Sequence, residues 1–370
     1  MATLFLLVSC GSGGSGTAGS GGSGNLQILG WIKAPDVRDI VLSPDETKAY
    51  VSVFDRYDHF DDKFNDPGLR VIDITQASNP RITAVLPIQN EHQTQSLTQP
   101  EDMVISPDGK TLYIIWHYAL GLITYNLENK IYTIQEHDAP YVGGGNSLAI
   151  SSDGKKIFTT ARSNGGEYGY LLLKGIRENK NMYDISSLYI PSENSSSSDV
   201  EISKDNKTAY VIDSKFGLSI IDVSDDQNPK LLSSQTLLDP KEIAVSSDGK
   251  TAFITSFVDG VEIFDISNRK QPKKLSTIHI KAWDGDKVGS WDVILSKDNS
   301  KLYVAAGGHG LRVYDVKDPK NPALLASRVL DIEEFAPYAS DLNDIALSKD
   351  ETKIYGGTGL GFVVIDVRGF

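Results

Sequence analysis

Six carboxylates recur along the chain at one fixed position, four residues before a Ser-x-Asp tripeptide. They are Asp39, Asp102, Asp199, Glu242, Asp292 and Asp344. Gathered around one point, they could bind a cation or a basic partner. Alternatively, each carboxylate accepts backbone amides of its own connecting loop, a structural bond repeated along the chain. Recurrence favours the structural interpretation, because a binding site usually breaks the symmetry of a repeat.

Side chains that differ from one repeat to the next are stronger candidates for binding. They stand at or near the end of the second strand in each repeat, and they are Arg56, Trp116, His117, Arg162, Asp213, Trp283, Trp291 and His309. Aromatic and arginine side chains are enriched where proteins bind their partners. We therefore predict that these residues line a ligand-binding surface.

The segment from Phe54 to Asp66 is rich in oxygen ligands. Its candidate ligands for a calcium ion are Asp58, Asp61, Asp62, Asn65 and Asp66. Calcium binds several carboxylate and amide oxygens from a flexible loop. The spacing matches no EF-hand loop, which needs alternating acidic ligands, a central glycine and a distal glutamate. An acidic, solvated loop is the default interpretation, and calcium is the one cofactor that this sequence suggests.

Signals for catalysis are weak. The chain has six histidines, and no two of them stand at metal-ligand spacing. It also lacks the Gly-x-Ser-x-Gly elbow of serine hydrolases and the Gly-Lys-Ser/Thr loop that holds phosphates. The sequence therefore favours a binding module over an enzyme. A lactonase-like hydrolase with a cation-assisted site stays the alternative, because residues distant in sequence can converge in the fold.

Seven repeats must position these residues. In each, a short apolar strand runs into the Ser-x-Asp tripeptide, whose serines are Ser43, Ser106, Ser151, Ser203, Ser246, Ser296 and Ser348. Apolar residues alternate with a period of two before each serine, which indicates a β-strand. A second strand, a glycine with an apolar run such as Gly68 to Asp73, and a fourth strand complete the unit. The third repeat departs most from this pattern.

The repeats predict an all-β fold, a seven-bladed β-propeller of four-stranded blades over residues 25–370. Serine-to-serine spacings of 63, 45, 52, 43, 50 and 52 residues suit propeller blades. The last repeat lacks a fourth strand, whereas Asn25 to Ile32 reads as a fourth strand with no other strands of its own. We expect this N-terminal strand to complete the last blade and to remove an open sheet edge.

A propeller would bring the candidate residues to one face. The loops between second and third strands, and between blades, emerge together on what we call the loop face, and the long ones are Phe54 to Pro67, Pro87 to Gln99, Glu136 to Asn146, Ile278 to Ser290 and Val329 to Ser340. The recurring carboxylates begin the innermost strands, so they point to the channel mouth on this face. The opposite, hairpin face carries one lysine per turn, which we interpret as a solvated surface.

The motif Leu-x-Val-Ile-Asp-Ile at residues 69–74, with the hairpin Ser106 to Tyr113, resembles the LVIVD-repeat propellers of bacterial and archaeal surface proteins. It is similar, more loosely, to the YVTN surface-layer propellers and to the lactonase-type seven-bladed fold. The resemblance covers residues 25–370. It implies an extracytoplasmic protein and is not specific for any activity.

Composition limits the partners. Lys+Arg 36 against Asp+Glu 49 gives a net charge of -13, so we expect no nucleic-acid partner, which would need a basic surface. With 40% hydrophobic residues the chain can bury a large core. The longest apolar run, Leu4 to Val8, is far shorter than the about 20 residues of a membrane span, and no transmembrane helix is predicted.

The single cysteine, Cys10, follows Leu7-Val8-Ser9, and this tetrapeptide resembles the lipobox of bacterial lipoproteins. The resemblance implies that residues 1–10 are a signal segment whose cysteine is lipidated, although no basic residue precedes it. Residues 11–24, rich in Gly and Ser, then act as a flexible tether. The sequence thus predicts a membrane-anchored extracytoplasmic module that binds an envelope protein or glycan. An incidental cysteine in a disordered tail is the alternative.

Overall fold

The structure of the chain is a computed structural model that describes residues 26–34, 36–53, 57–58, 63–64, 68–86, 100–116, 121–136, 142–163, 169–180, 182–190, 197–213, 217–280, 291–330 and 341–370. Within these ranges, side chains are described except at 57–58, 63–64, 116, 121–122, 131–136, 142–146, 161–163 and 197–198. Every regular element in the described ranges is a β-strand. No helix there is long and apolar enough to span a membrane.

The described strands form seven antiparallel sheets of four strands each, the blades of a propeller. The first strand of the chain, β1 (Gln27–Lys33), belongs to the seventh blade. Blades one to three contain β2 (Val37–Leu42), β3 (Lys48–Val53), a separate ribbon of β4 (Tyr57–Asp58) and β5 (Lys63–Phe64), β6 (Gly68–Asp73) and β7 (Arg81–Leu86); β8 (Pro100–Ile105), β9 (Thr111–Trp116), β10 (Gly121–Asn126) and β11 (Ile131–Glu136); and β12 (Val142–Ile150), β13 (Lys156–Ser163), β14 (Gly169–Ile176) and β15 (Met182–Ile190).

The remaining blades repeat the same order of strands. They contain β16 (Ser197–Ile202), β17 (Thr208–Asp213), β18 (Gly217–Asp222) and β19 (Lys230–Gln235); β20 (Pro240–Val245), β21 (Thr251–Ser256), β22 (Gly260–Asp265) and β23 (Lys273–Ile278); β24 (Asp292–Leu295), β25 (Lys301–Ala305), β26 (Leu311–Asp315) and β27 (Ala323–Arg328); and β28 (Leu342–Leu347), β29 (Lys353–Thr358) and β30 (Gly361–Asp366). The predicted seven-bladed fold is confirmed.

The first strand of each blade is the innermost one. Strand β2 contacts both β8 and β28, which are the first strands of the two neighbouring blades, and β16 contacts β20 in the same way. The first strands therefore surround the channel, and their first residues meet at its mouth.

The core lies between neighbouring blades. The aromatic residue seven positions after each serine is buried in all seven blades, at Tyr50, Tyr113, Phe158, Tyr210, Phe253, Tyr303 and Tyr355. Tyr303 of blade six, for example, packs in one apolar cluster with Leu342 and Ile345 of blade seven. Burial of one large side chain per blade joins each sheet to the next and explains why this position is always aromatic.

The N-terminal strand closes the ring, as the sequence predicts. Strand β1 pairs antiparallel with β30, and Trp31 lies opposite Val363. Leu26 is buried in the cluster between blades six and seven. Beyond the strand, the Ala34 amide donates to the Leu360 carbonyl at 3.2 Å. The seventh sheet is therefore built from both ends of the described chain.

The third blade is the longest, which explains why its sequence departs from the other repeats. Strands β12 and β15 have nine residues each. Lys174 stands where most other repeats have Asp, and it forms an ion pair with Asp184 on the neighbouring strand. The segment after Arg177 thus supplies a regular fourth strand.

The hairpin face is held together by contacts between successive turns. The residue three positions after each serine has a positive φ in all seven turns, at Glu46, Gly109, Gly154, Asn206, Gly249, Asn299 and Glu351. Asn206 accepts the Ser152 amide of the preceding turn at 3.0 Å, and Asn299 accepts the Ser247 amide at 2.9 Å. Where the preceding turn has Pro44 or Pro107 instead, no amide is available and the position is glycine.

This arrangement predicts that Gly109→Ala is more destabilising than the same change at Gly249. Both glycines have φ near +70°, so alanine adds a similar backbone strain of about 1 kcal/mol at each. At Gly109 a Cβ would also come within 2.6 Å of Pro44 Cγ, whereas at Gly249 the nearest atom is 4.0 Å away. Urea unfolding should show an additional loss of about 1–2 kcal/mol for Gly109→Ala. Equal losses would contradict the turn-to-turn packing.

Candidate functional site

A β-bulge at the start of the first strands builds the channel mouth. In blade one, Val37 pairs with Val53 and Asp39 pairs with Ser52, so Arg38 is an extra residue in the strand. The same register shift occurs in blades two, four, five and seven. In a regular strand, neighbouring side chains point to opposite faces, but a bulge re-aims one of them. Two consecutive side chains of one strand, such as Arg38 and Asp39, therefore line the same cavity.

Several of the recurring carboxylates bond one blade to the next. Asp102 accepts the Met103 amide of its own strand at 2.7 Å and the Leu148 amide of blade three at 2.6 Å. Asp292 in the same way accepts the Val293 amide and, at 2.8 Å, the Ile345 amide of blade seven. These hydrogen bonds hold neighbouring inner strands together. They reach the following blade, whereas the sequence suggested bonds within the carboxylate's own loop.

Asp199 has the largest set of described partners in this group. It accepts the Val200 amide at 2.6 Å, the Ile243 amide of blade five at 3.0 Å and the Ser147 hydroxyl of blade three at 2.8 Å. Ser147 stands at the carboxylate position of the third repeat, and its Oγ also accepts the Val200 amide at 3.2 Å. One buried carboxylate thus connects three blades.

The other carboxylates at the mouth are incompletely bonded. Asp39 Oδ2 and Asp344 Oδ2 are buried atoms that accept no hydrogen bond from the described residues. The Glu242 carboxylate, which is one methylene longer, also lines the cavity. Blades one and seven therefore each present a buried carboxylate oxygen that accepts no described hydrogen bond, and blade five adds a third carboxylate to the cavity.

These carboxylates surround a cavity of about 250 Å³ at the mouth. Its described lining contains six acidic and two basic residues together with three uncharged ones, namely Arg38, Asp39, Glu101, Asp102, Ser147, Lys241, Glu242, Trp291, Asp292, Asn343 and Asp344. Arg38 forms an ion pair with Asp36 at 3.0 Å, and Lys241 forms one with Asp239 at 2.7 Å. Neither Asp36 nor Asp239 is part of the lining, so both cations have a carboxylate partner outside the cavity.

Burial raises the pKa of the six recurring carboxylates, and repulsion between neighbouring carboxylates adds to the shift in all of them except Asp199. Burial raises the pKa of Asp102 to about 7, and the two backbone amides that it accepts oppose this shift. Burial likewise raises the pKa of Asp199 to about 6 and that of Asp292 to about 6. For Asp39, Glu242 and Asp344, burial and the neighbouring carboxylates together hold the pKa well above the ordinary value.

The raised pKa values predict that the folded protein becomes less stable as the pH rises from about 5 to about 8. In that range the folded state retains protons that the unfolded state has lost, so the unfolding free energy is highest below the unfolded-state pKa values, falls as pH rises toward the folded-state values and levels off above them. A shift of one pKa unit corresponds to about 1.4 kcal/mol, so the total loss should reach a few kcal/mol. Urea unfolding at several pH values measures it.

A variant at one of the recurring carboxylates supplies the control for this pH dependence. Asp344→Asn removes one of the raised carboxyls without an aliphatic truncation, so its stability should change less between about pH 5 and about pH 8. Surface carboxylates do not interfere, because the pKa of Asp45 is lowered to about 2 and its contribution is lost only in acid. If the unfolding free energy falls equally with pH in the parent protein and in Asp344→Asn, Asp344 does not take up a proton on folding and the prediction is wrong.

The predicted binding residues have different locations. Trp291 lines the cavity. His309 is buried in the tight turn between β25 and β26, where its amide donates to the Ala306 carbonyl, and Asp213 is fully buried at the end of β17. The other predicted residues lie outside the residues whose side chains the structure describes, namely Arg56, Trp116, His117, Arg162 and Trp283.

The calcium and lipid predictions also fall outside the description. The side chains of Asp58, Asp61, Asp62, Asn65 and Asp66 are not described, and neither is Cys10. In the described part of the chain, no three His, Cys, Asp or Glu side chains are grouped closely enough to hold a metal ion.

Sequence reasoning missed Arg38, Glu101, Lys241 and Asn343. Each stands directly before one of the recurring acidic residues, at the bulge. A signal was present, because this position varies in every repeat while the next one is almost always acidic. Regular alternation along a strand, however, would place this position on the face opposite to that of the acidic residue that follows it.

Comparison with known proteins supports the fold. Residues 196–236, which include the fourth blade, match the family model of the LVIVD repeat. The chain is similar to the hydrazine synthase of Kuenenia stuttgartiensis, with a TM-score of 0.66 and 16% identity over 90% of this chain and 96% of that one. It is also similar to the periplasmic gluconolactonase of Pseudomonas aeruginosa, with a TM-score of 0.59 and 15% identity over 78% and 84%.

No curated protein sequence matches the chain. At such low identity the structural likeness shows the fold and not the activity. The resemblance to LVIVD-repeat and lactonase-type propellers is thereby confirmed at the level of repeat and fold.

Proposed function

We propose that this chain is a binding module that takes its ligand at the channel mouth on the loop face. The observation that carries the proposal is the cavity of about 250 Å³, whose lining includes two carboxylates, Asp39 and Asp344, each with a buried oxygen that accepts no hydrogen bond from the described residues. Buried polar atoms without partners are uncommon in folded proteins and call for an explanation. A bound ligand that donates hydrogen bonds would satisfy them.

The bonding of the remaining mouth residues favours binding over hydrolysis. Ser147 is the one described hydroxyl in the lining, and it donates to Asp199, a carboxylate that two backbone amides already hold in place between blades. Asp102 and Asp292 each accept two backbone amides, which fix their position. Such groups supply a rigid, preorganised site.

The experiment compares ligand capture by matched variants. The purified protein is immobilised and exposed to envelope extract, and bound protein or glycan is quantified. Trp291→Ala and Glu242→Gln should each reduce capture at least about tenfold without a large change in melting temperature. Lys250→Ala, on the hairpin face, should leave capture unchanged. Loss with Lys250→Ala, or retention with both mouth variants, would contradict the proposed site.

A hydrolase is the second candidate, and one observation favours it. Asp102 has its pKa raised to about 7, which suits a general acid or base near neutral pH. The similarity to a structure described as a gluconolactonase suggests lactones as first substrates to test. This function would be supported if turnover is lost in Asp102→Asn. In the unmodified protein, a chelator should abolish turnover and a divalent cation should restore it.

We further propose that the module is extracytoplasmic and held at a membrane by a lipid on Cys10. The periplasmic location stated for the similar gluconolactonase and the lipobox-like tetrapeptide support this placement. Cys10→Ala should move the protein from the membrane fraction to the soluble fraction. Equal membrane association of the two proteins would overturn the anchor.

A further inference from the structure

We propose that the ligand of the mouth cavity is an organic ammonium or guanidinium group carried on an apolar stem. This inference rests on the proposed binding function and specifies its ligand class. The charged head enters the acidic cavity, and the stem lies on an adjoining apolar shelf formed by Leu238, Phe257, Val258 and Trp291.

The cavity offers acceptors without matching donors. Asp39 Oδ2 and Asp344 Oδ2 are buried oxygens that accept no hydrogen bond from the described residues. They belong to neighbouring blades, and Glu242 faces the same cavity from blade five. An ammonium has three N–H donors and a guanidinium has five, so either group can bond several of these carboxylates at once.

The charge of the cavity points the same way. Its described lining has six acidic and two basic residues, and both basic side chains have carboxylate partners that lie outside the lining. Charge repulsion among the carboxylates is one cause of their raised pKa values. A cation that enters the cavity relieves this repulsion, and the low dielectric of a partly enclosed site strengthens the attraction.

The spacing of the carboxylates favours a cation larger than a metal ion. A metal such as calcium needs several oxygens at about 2.3–2.6 Å from one point. The described carboxylates form no such group, because they come from different blades around the channel. Hydrogen bonds from a branched cation reach farther than direct coordination.

The apolar shelf is continuous with the cavity. Trp291 lines the cavity and packs edge-to-face on Phe257, with ring centroids 5.2 Å apart. The Ser256 hydroxyl donates to the Leu238 carbonyl at 2.7 Å, and the Phe257 amide donates to the Asp239 carbonyl at 3.0 Å. The loop of blade five is thereby fixed against the connection from blade four.

The outer end of this shelf is exposed. Leu238 is 62% exposed and Val258 is 41% exposed, although both are large apolar side chains. Lys241 already shows how an ammonium on an aliphatic stem fits here, because its Nζ lies 5.7 Å from the centroid of the Phe257 ring. An acidic pocket beside an exposed apolar shelf matches a ligand with one charged end and one apolar end.

The first test measures binding of hexylammonium by calorimetry, with 1-hexanol as the neutral isostere and methylammonium as the head without its stem. Hexylammonium should bind at least about tenfold more tightly than either. Equal binding of 1-hexanol would overturn the role of the charge. Equal binding of methylammonium would overturn the role of the shelf. Binding of calcium that displaces hexylammonium would assign the cavity to a metal instead.

The second test uses variants of each half of the site. Glu242→Gln should weaken hexylammonium binding at least about tenfold, whereas Glu128→Gln, the same change on the exposed hairpin face, should not. Leu238→Ser with Val258→Ser should weaken hexylammonium but not methylammonium. Melting temperatures confirm that the variants are folded. Unchanged binding in both mouth variants would overturn the inference.

A third comparison distinguishes a protein ligand from a free amine. It also distinguishes an error in the cationic ligand class from an error in the binding function. An acetylated peptide with one lysine beside a leucine should bind more tightly than hexylammonium if the natural ligand is a protein, and less tightly if it is a free amine. If no amine or peptide binds, while capture from envelope extract is still lost in Glu242→Gln, the binding function stands and the cationic ligand class is wrong.

Discussion

Deletion of residues 26–33 should lower the melting temperature by more than about 10 °C, the largest effect that we expect from any small change. These residues include the whole of β1, which supplies the fourth strand of the seventh blade. The deletion removes Leu26 from the cluster between blades six and seven and exposes the edge of β30. Loss of the buried Leu26 side chain costs about 2–5 kcal/mol, and the partly buried Ile28 and Trp31 and the strand pairing with β30 add to it, so the total approaches the stability of a typical domain.

A deletion of residues 11–24 is the matched control for this experiment. It removes a longer segment that precedes the first described residue, and we expect a melting temperature within about 2 °C of the parent. Differential scanning calorimetry measures both variants. If the two deletions have the same effect, β1 does not close the ring. The exposed edge of β30 should also make the first variant prone to aggregation, which light scattering detects.

Asp199→Ala should cost about 3–5 kcal/mol of unfolding free energy. Asp199 is 6% exposed and accepts bonds from three blades. Its removal leaves the Ile243 amide without its acceptor in the protein interior and takes away the partner of the Ser147 hydroxyl. Asp199→Asn retains an acceptor oxygen and should lose about half as much.

Asp344→Asn provides the contrast at the equivalent position of blade seven. Asp344 has a buried oxygen with no described hydrogen bond and lies beside the like charges of Asp292 and Asp39. Removing one charge from this group should leave stability unchanged or raise it at about pH 8. If the two aspartates respond alike in urea unfolding, the distinction between carboxylates that link blades and carboxylates with an unbonded oxygen is wrong.

Most of the fold could be predicted from the sequence because a propeller repeats its local rules. The two-residue alternation before Ser43, Ser106 and their equivalents identifies a strand. The N-terminal strand could be assigned to the last blade because a sheet with an unpaired edge is a liability that natural proteins avoid. These patterns are local, so one chain is sufficient to read them.

The candidate site could be predicted only in part. The recurring carboxylates were identified from their spacing and Trp291 from its difference between repeats, and Trp291 and all of these carboxylates except Asp199 line the cavity. Sequence reasoning treated the six acidic residues as equivalent, whereas Asp199 bonds three blades and Asp344 Oδ2 accepts no described bond. This difference depends on what the neighbouring blade presents, which no single repeat contains.

The sequence by itself determined the strand period, the number of blades, the closing strand and the acidic net charge. Only the tertiary structure decided that the mouth is also lined by Arg38, Glu101, Lys241 and Asn343. A β-bulge turns these side chains toward the cavity, whereas regular strand alternation would point them away from it. It also decided which carboxylates are bonded and which are open, because hydrogen bonds between blades join residues about 45 to 55 positions apart. The repeated sequence pattern therefore specifies the seven-bladed propeller, whereas contacts between blades of different sequence specify the candidate site.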